Sequence, residues 1–332
     1  MRRSSKIFRR PVLIGAVACV LLGTAAWWIQ RPQGHQSSVL EGVDLGDGYW
    51  KTPLAPDAPV DPRSDEFIHW LESDNEPDHL LLAGATSSGR WGLPMFESDE
   101  GDPAYAIKNN CGFVQPPEFS SVRIPSTARP DDSSDSEMSI YDVDKGIVYG
   151  LFRASYSEEE GEWQACGGTV YYLESNGLDG DLQQTDEPRN FGHRGLPSYV
   201  YAVRYDEIED GAINHVLKVA VNTAKVEHVF PMTGSDGNST DPLAPPEGAR
   251  IRLKPEIDLS AMDLTRAERI VATALQRYGA VIGDQSGGGV VLKLENTVAE
   301  DRGNLWEGVL HKESLEDFNL EDFEVIELGY TP

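Results

Sequence analysis

Two short stretches bring together side chains able to move a proton: Arg204-Tyr205-Asp206-Glu207 and, a few residues on, Gly211-Ala212-Ile213-Asn214-His215. Alternation along the second places Ile213, His215, Leu217, Val219 and Val221 on one face of a strand, so the histidine points inward among aliphatics and needs a partner. Asp206 or Glu207, at the end of the preceding predicted strand, supplies one. Either carboxylate can fix the imidazole tautomer while Arg204 compensates its charge. On the next predicted strand His228 shares a face with Val226 and Phe230, which would bring a second imidazole towards the first.

Such a set supports general acid–base work, in which Glu207 or Asp206 acts as acid or base with His215 as its partner. Cleavage of a glycan is one fit, because glycosidic hydrolysis uses two carboxyls flanking the bond. A lyase would instead take His215 or Tyr205 as base, with Arg204 neutralising a uronate. The structural alternative is a buried network that only ties a loop to a sheet, since interior polar groups have to be paired whether or not they do chemistry. The residue types do not choose between these readings.

Other chemistries find less support. His215, His228 and Asp206 could form a two-His-one-carboxylate set, yet no H-x-H or H-E-x-x-H spacing enforces it, and the acidic loop 236–241 lacks the bidentate Glu of a calcium loop. No metal is therefore expected. Ser286-Gly287-Gly288-Gly289 runs from strand to strand, whereas a phosphate loop runs from strand to helix. With no nucleotide, flavin or haem signature and no G-x-S-x-G elbow, neither a cofactor nor a serine nucleophile is expected.

The elements that must hold these residues read mostly as strands. Residues 138–143 and 147–156 flank the turn Asp144-Lys145-Gly146 as a hairpin, and further strands are predicted over 168–173, 199–205, 213–221, 225–230 and 249–253. Residues 280–284 and 290–294 form another predicted hairpin around the glycine-rich turn. One helix is plain: Thr265-Arg266-Ala267-Glu268 is a capping box, Ile270, Val271, Ala274, Leu275 and Tyr278 make an apolar stripe, and Gly279 ends it. A short helix over 65–72 puts Phe67, Ile68 and Leu71 on one stripe with Trp70 beside it, and 126–137 reads as an exposed polar loop. The sum is a mainly β, β-sandwich or jelly-roll-like single domain over 64–332 with a few short helices.

Ahead of that domain lies a leader. Arg2, Arg3, Lys6, Arg9 and Arg10 precede an apolar run, 11–30, long enough to span a bilayer, with Trp27, Trp28 and Arg31 at its far end. A basic cytoplasmic segment 1–10, a transmembrane signal anchor 11–30 and a Pro-rich tether 31–63 follow, with Pro53, Pro56, Pro59 and Pro62 at three-residue intervals. Cleavage after Ala25 or Ala26, with secretion, is the rival reading, and lipidation of Cys19 a third. The lipid bilayer is thus the expected partner of the N-terminal helix, and a polysaccharide the expected ligand outside.

Charge separates leader from body. Six of the 28 basic residues lie in the leader, leaving 22 against 55 acidic ones, a formal −33. Phosphate binding needs a basic footprint, so no nucleic-acid partner is expected. Such acidity speaks to solubility and repulsion rather than to fold. Cys111 and Cys166 are the only pair in the exported part, where oxidising conditions permit a bond, and a disulfide between them is predicted.

An ordered set of motifs resembles a family of uncharacterised exported bacterial proteins: Val203-Arg204-Tyr205-Asp206-Glu207 with Gly211-Ala212-Ile213-Asn214-His215, Ser239-Thr240-Asp241-Pro242, the stretch 246–253, and Tyr278-Gly279 with Asp284. The likeness covers most of the chain. It implies a secreted or surface-attached β-rich domain similar in architecture to carbohydrate-associated proteins, and no particular activity. Arg204, Asp206, Glu207, His215 and Asp284 match its pattern, which adds Asp284 to Arg204, Tyr205 and His228 as substrate-binding candidates. Gly150 departs from it, standing where many relatives carry an acid.

Overall fold

The computed structural model describes residues 48–84, 91–175, 177–178, 190–192 and 201–332. The basic segment, the apolar run with Cys19 and residues 31–47 of the expected tether lie outside them. No helix among the described residues is long and apolar enough to cross a membrane.

The fold is mainly β and sandwich-like, with two principal sheets. In chain order their strands are β1 (Leu80–Ala83), β2 (Met95–Ser98), β3 (Met138–Asp142), β4 (Ile147–Phe152), β5 (Gly167–Tyr172), β6 (Leu217–Val221), β7 (Arg250–Leu253), β8 (Ala280–Gln285), β9 (Val290–Lys293) and β10 (Phe323–Val325). The six-stranded sheet has the order β1-β9-β6-β8-β7-β10, and the four-stranded sheet the order β5-β4-β3-β2. Both are mixed: β1 runs parallel to β9, β6 to β8 and β2 to β3.

Alternation along the strands sorts side chains into layers. Leu80, Leu82, Leu217, Val219, Ile282 and Leu292 pack from one face of the larger sheet onto helices α1 (Ser64–Asp74) and α3 (Arg266–Arg277). Val216, Tyr278 and Val281 meet Met95, Val148 and Tyr171 of the smaller sheet around Trp50 and Tyr201. Beyond the smaller sheet, Phe96, Ile140, Tyr149 and Val170 pack on Phe119 and Trp163.

Where local signals are complete, the elements form as read. The Thr265 hydroxyl accepts from the Glu268 amide while the Glu268 carboxylate accepts from the Thr265 amide at 2.8 Å, closing the capping box of α3. Phe67, Ile68 and Leu71 are the buried stripe of α1. β3 and β4 form the predicted hairpin with Asp142 opposite Ile147. Cys111 and Cys166 are disulfide-bonded, their Cα atoms 4.9 Å apart.

Several expectations are corrected. β8 and β9 are strands but not a hairpin, because β6 lies between them, parallel to one and antiparallel to the other. All five residues of β6 are buried, as befits a central strand covered on both faces. Residues 201–204 contribute only an isolated bridge, Val203 to Leu294, before the chain turns into helix α2 (Tyr205–Asp210), and 211–216 are irregular up to β6. Asp206 and Glu207 in the first turn and Gly211 in the left-handed region at its end favour that helix over a strand.

The stretch 48–63 belongs to the domain rather than to a free tether. Tyr49, Trp50, Leu54 and Ala58 are buried, the Leu54 amide donates to the Arg277 carbonyl at 2.8 Å, and Val60 bridges to Ile326. Four apolar side chains outweigh the extended preference of the prolines around them. The loop 126–137 likewise packs: Ala128, Asp131 and Glu137 are buried, with Glu137 bonded to Lys293.

Candidate functional site

Glu207 stands at the centre of the predicted cluster, in the first turn of α2. Its Oε1 accepts from Arg204 Nη2 at 2.8 Å and lies 3.0 Å from His215 Nε2, and its Oε2 accepts from the Arg204 backbone amide at 3.1 Å. His215 Nδ1 sits 2.8 Å from the Val216 carbonyl, so that nitrogen carries a proton. Nε2 then faces the carboxylate as a donor in the imidazolium form, or accepts from Arg204 Nη1, 3.4 Å away, in the neutral form. Asp206 accepts from the Glu207 amide at 2.9 Å and flanks Arg204 Nε at 3.6 Å.

Burial is nearly complete, with Arg204 8%, Glu207 7% and His215 2% exposed. Burial alone would raise the Glu207 carboxyl, but the Arg204 guanidinium and the His215 imidazole outweigh it and hold the group below the usual carboxylate range. Glu207 is therefore an ion at neutral pH. A general acid needs the opposite shift. Tyr205 is half-buried, and burial and then the Glu209 charge push its phenol up, away from the phenolate a base would use.

Three residues that sequence reasoning missed complete the support. The Tyr205 amide donates to Glu295 Oε2 at 2.7 Å, Arg302 pairs with Glu295 and, at 2.7 Å, with Glu300, and Glu300 accepts from the Met95 amide at 2.7 Å. Burial first and then the Glu295 charge push the Glu300 carboxyl well up, with Arg302 opposing. Nothing local marks Glu295, which is separated from Tyr205 by 90 positions. At the other end of α2, Arg266 of α3 donates to the Ile208 and Glu209 carbonyls.

The remaining candidates stand apart. His228 is exposed on a short strand, Lys225–His228, that pairs with Pro246–Glu247 and not with β6, so the two imidazoles do not share a site. Asp284 lies on β8, 3.0 Å from Lys218 Nζ of β6. It belongs to a second network in which Lys293 of β9 pairs with Glu137 and feels Asp284 and Asp135. Asp131 in that loop accepts from the Ser133 amide and hydroxyl at 2.9 and 2.6 Å.

Among the described residues no group of three or more His, Cys, Asp or Glu is placed to hold a metal ion. No protein-family model, curated protein or solved structure matches the chain.

Proposed function

We propose that the chain is a non-catalytic, extracytoplasmic surface module, and that Arg204, Glu207 and His215 hold α2 against the start of β6. The carrying observation is that Glu207 is buried and already engaged by the Arg204 guanidinium and backbone amide, with His215 Nε2 3.0 Å from the same carboxylate. A glycosidic oxygen would have to displace Arg204 or His215 to reach it, at the cost of leaving a buried charge unpaired. Kinship with exported β-rich proteins is part of this proposal. Export is supported by the Cys111–Cys166 bond, which persists in oxidising compartments.

Glycan binding is the role we assign to the surface. Tyr156 is 43% exposed on the small sheet of Lys108–Asn109, Ser155–Ser157 and Glu162–Ala165, with its ring 6.0 Å from Tyr105 and 5.3 Å from Trp163. An exposed aromatic ring of this kind suits the apolar face of a sugar ring.

The test incubates the protein and Glu207→Gln with neutral and uronate-containing polysaccharides and follows products and retention together. We expect no product from either form, and retention that Tyr156→Ala weakens several-fold. Product formed by the natural chain and lost in Glu207→Gln would overturn the reading.

A further inference from the structure

Residues 235–241 run beside the strand Lys225–His228, with Ser239 bridging to Lys225. Their backbone is tied down: the Asn238 and Ser239 amides both donate to the Ala224 carbonyl at 3.1 Å, the Val226 amide donates to the Ser239 carbonyl at 2.9 Å, and the Asp236 amide donates to Glu247 Oε1 at 3.1 Å. At Gly237 an added Cβ would stand 2.0 Å from the Lys225 carbonyl oxygen, so the segment touches the strand there and a side chain has no room. Ser235 and Ser239 turn their hydroxyls back to the chain, one donating to the Lys225 carbonyl at 2.8 Å and the other accepting from the Asp241 amide at 3.1 Å. Asn238 and Thr240, on either side of Ser239, do the opposite. Both are exposed, and neither side chain bonds to another described residue.

Asn238-Ser239-Thr240 is the single N-x-S/T triplet of the sequence, with no proline in the middle position. We propose that Asn238 is the acceptor of an N-linked oligosaccharide, attached by a membrane-bound transferase from a polyprenyl-pyrophosphate carrier. Such a triplet is used where it lies on a surface loop of an exported chain, because the enzyme must reach the amide and the hydroxyl two residues on together. Here neither group has to leave a partner in the fold, and the exposed Asp236, two residues ahead, adds a carboxylate for a cation of the enzyme. In the transfer Asn238 Nδ2 attacks the anomeric carbon of the first sugar. The N–C bond forms as the bond from that carbon to the pyrophosphate oxygen breaks, the pyrophosphate leaves with the electron pair, and one amide proton passes to a base of the transferase. Thr240 is a positioning residue whose hydroxyl sets the segment on the enzyme. The inference rests on export, as the function above does, and uses no residue of the Glu207 network or the Tyr156 face.

The full chain, made with its own leader in bacterial cells that carry an oligosaccharyltransferase and a lipid-linked oligosaccharide, tests the assignment through the mass of the intact protein and of the peptide bearing Asn238, read beside the redox state of Cys111 and Cys166. We expect a species heavier by one oligosaccharide, lost in Asn238→Gln and in Thr240→Ala and restored in Thr240→Ser, with the thermal midpoint of the unmodified variants unchanged because both side chains are exposed. Unmodified chain with Cys111 and Cys166 oxidised overturns the acceptor, as does an increment that survives in Asn238→Gln. Unmodified chain with both thiols reduced marks a failure of export instead, and the purified folded chain is then offered to the same enzyme and carrier in detergent. Modification at Asn238 there upholds the acceptor, and its absence overturns it.

Discussion

Two interior charge networks of this protein, each built around a buried carboxyl, end in opposite balance. Around Glu207 the donors outnumber what burial takes away: one guanidinium, one imidazole and one amide meet a single carboxylate, which is held below its ordinary range. Around Asp131 burial comes first, the two bonds from Ser133 offset only part of it, and the charge of Glu137 adds to the cost, so the carboxyl is pushed up to about 6. Lys293, the nearest cation, is committed to Glu137. The completeness of the partner set, more than depth, decides whether an interior charge supports the fold or burdens it.

The strongest way to break the contrast is Glu207→Ala, which leaves Arg204 and His215 buried without their acid. A loss of about 4 kcal/mol is expected in urea unfolding, and a loss under 1 kcal/mol would mean that the network carries little. Next comes Asp131→Asn, which keeps the acceptor for Ser133 and removes the charge. Because the folded-state value of about 6 lies above the ordinary 3.8, Asp131 favours the fold fully below pH 4 and loses that contribution as pH rises through 6. The substitution should therefore stabilise by about 3 kcal/mol at pH 8 and by little at pH 4, an outcome checked by unfolding at both.

Glu207 titrates with the opposite sign. Its lowered value contributes stability above the ordinary carboxylate range and loses it as pH falls through the folded-state value. Stability against pH should thus peak between the two limbs, with Asp131→Asn flattening the neutral limb and Glu207→Gln the acid one. The smallest effect is expected at the end of α2, where Gly211 has φ +96° and an added Cβ would stand 3.0 Å from Arg266 Nη2. Gly211→Ala should cost about 1–2 kcal/mol and raise hydrogen exchange in α2 while leaving the Asp131 limb unchanged.

Much of the site was legible before its geometry. Glu207 and His215 do meet, with Arg204 beside them, because an inward histidine in an aliphatic setting requires a nearby acid. What that reading lacked was the local path: the residues sit on a helix and an irregular segment rather than on two strands, and their side chains bond to one another in the interior. His228 was drawn in by an alternation that marks a face without saying whether the face is covered. Arg250 and Arg252 did leave a trace, two arginines alternating with Ile251 and Leu253 in a strand, but their partners lie at Glu324, Ala55 and Tyr278.

Signals that act over three or four residues determined α3, α1, the β3–β4 hairpin and the β-rich character of the body, and a count of two cysteines outside the apolar run determined the disulfide. Such terms are intrinsic to a short segment and survive any tertiary arrangement. Only the assembled structure decided that β6 separates β8 from β9, that Glu295 caps α2 from the far side of the chain, and that of two neighbouring arginines one pairs with Glu324 while the other meets the Tyr278 carbonyl. Those outcomes depend on which distant segments compete best for burial and for each polar group, and that competition is resolved only when the whole domain packs.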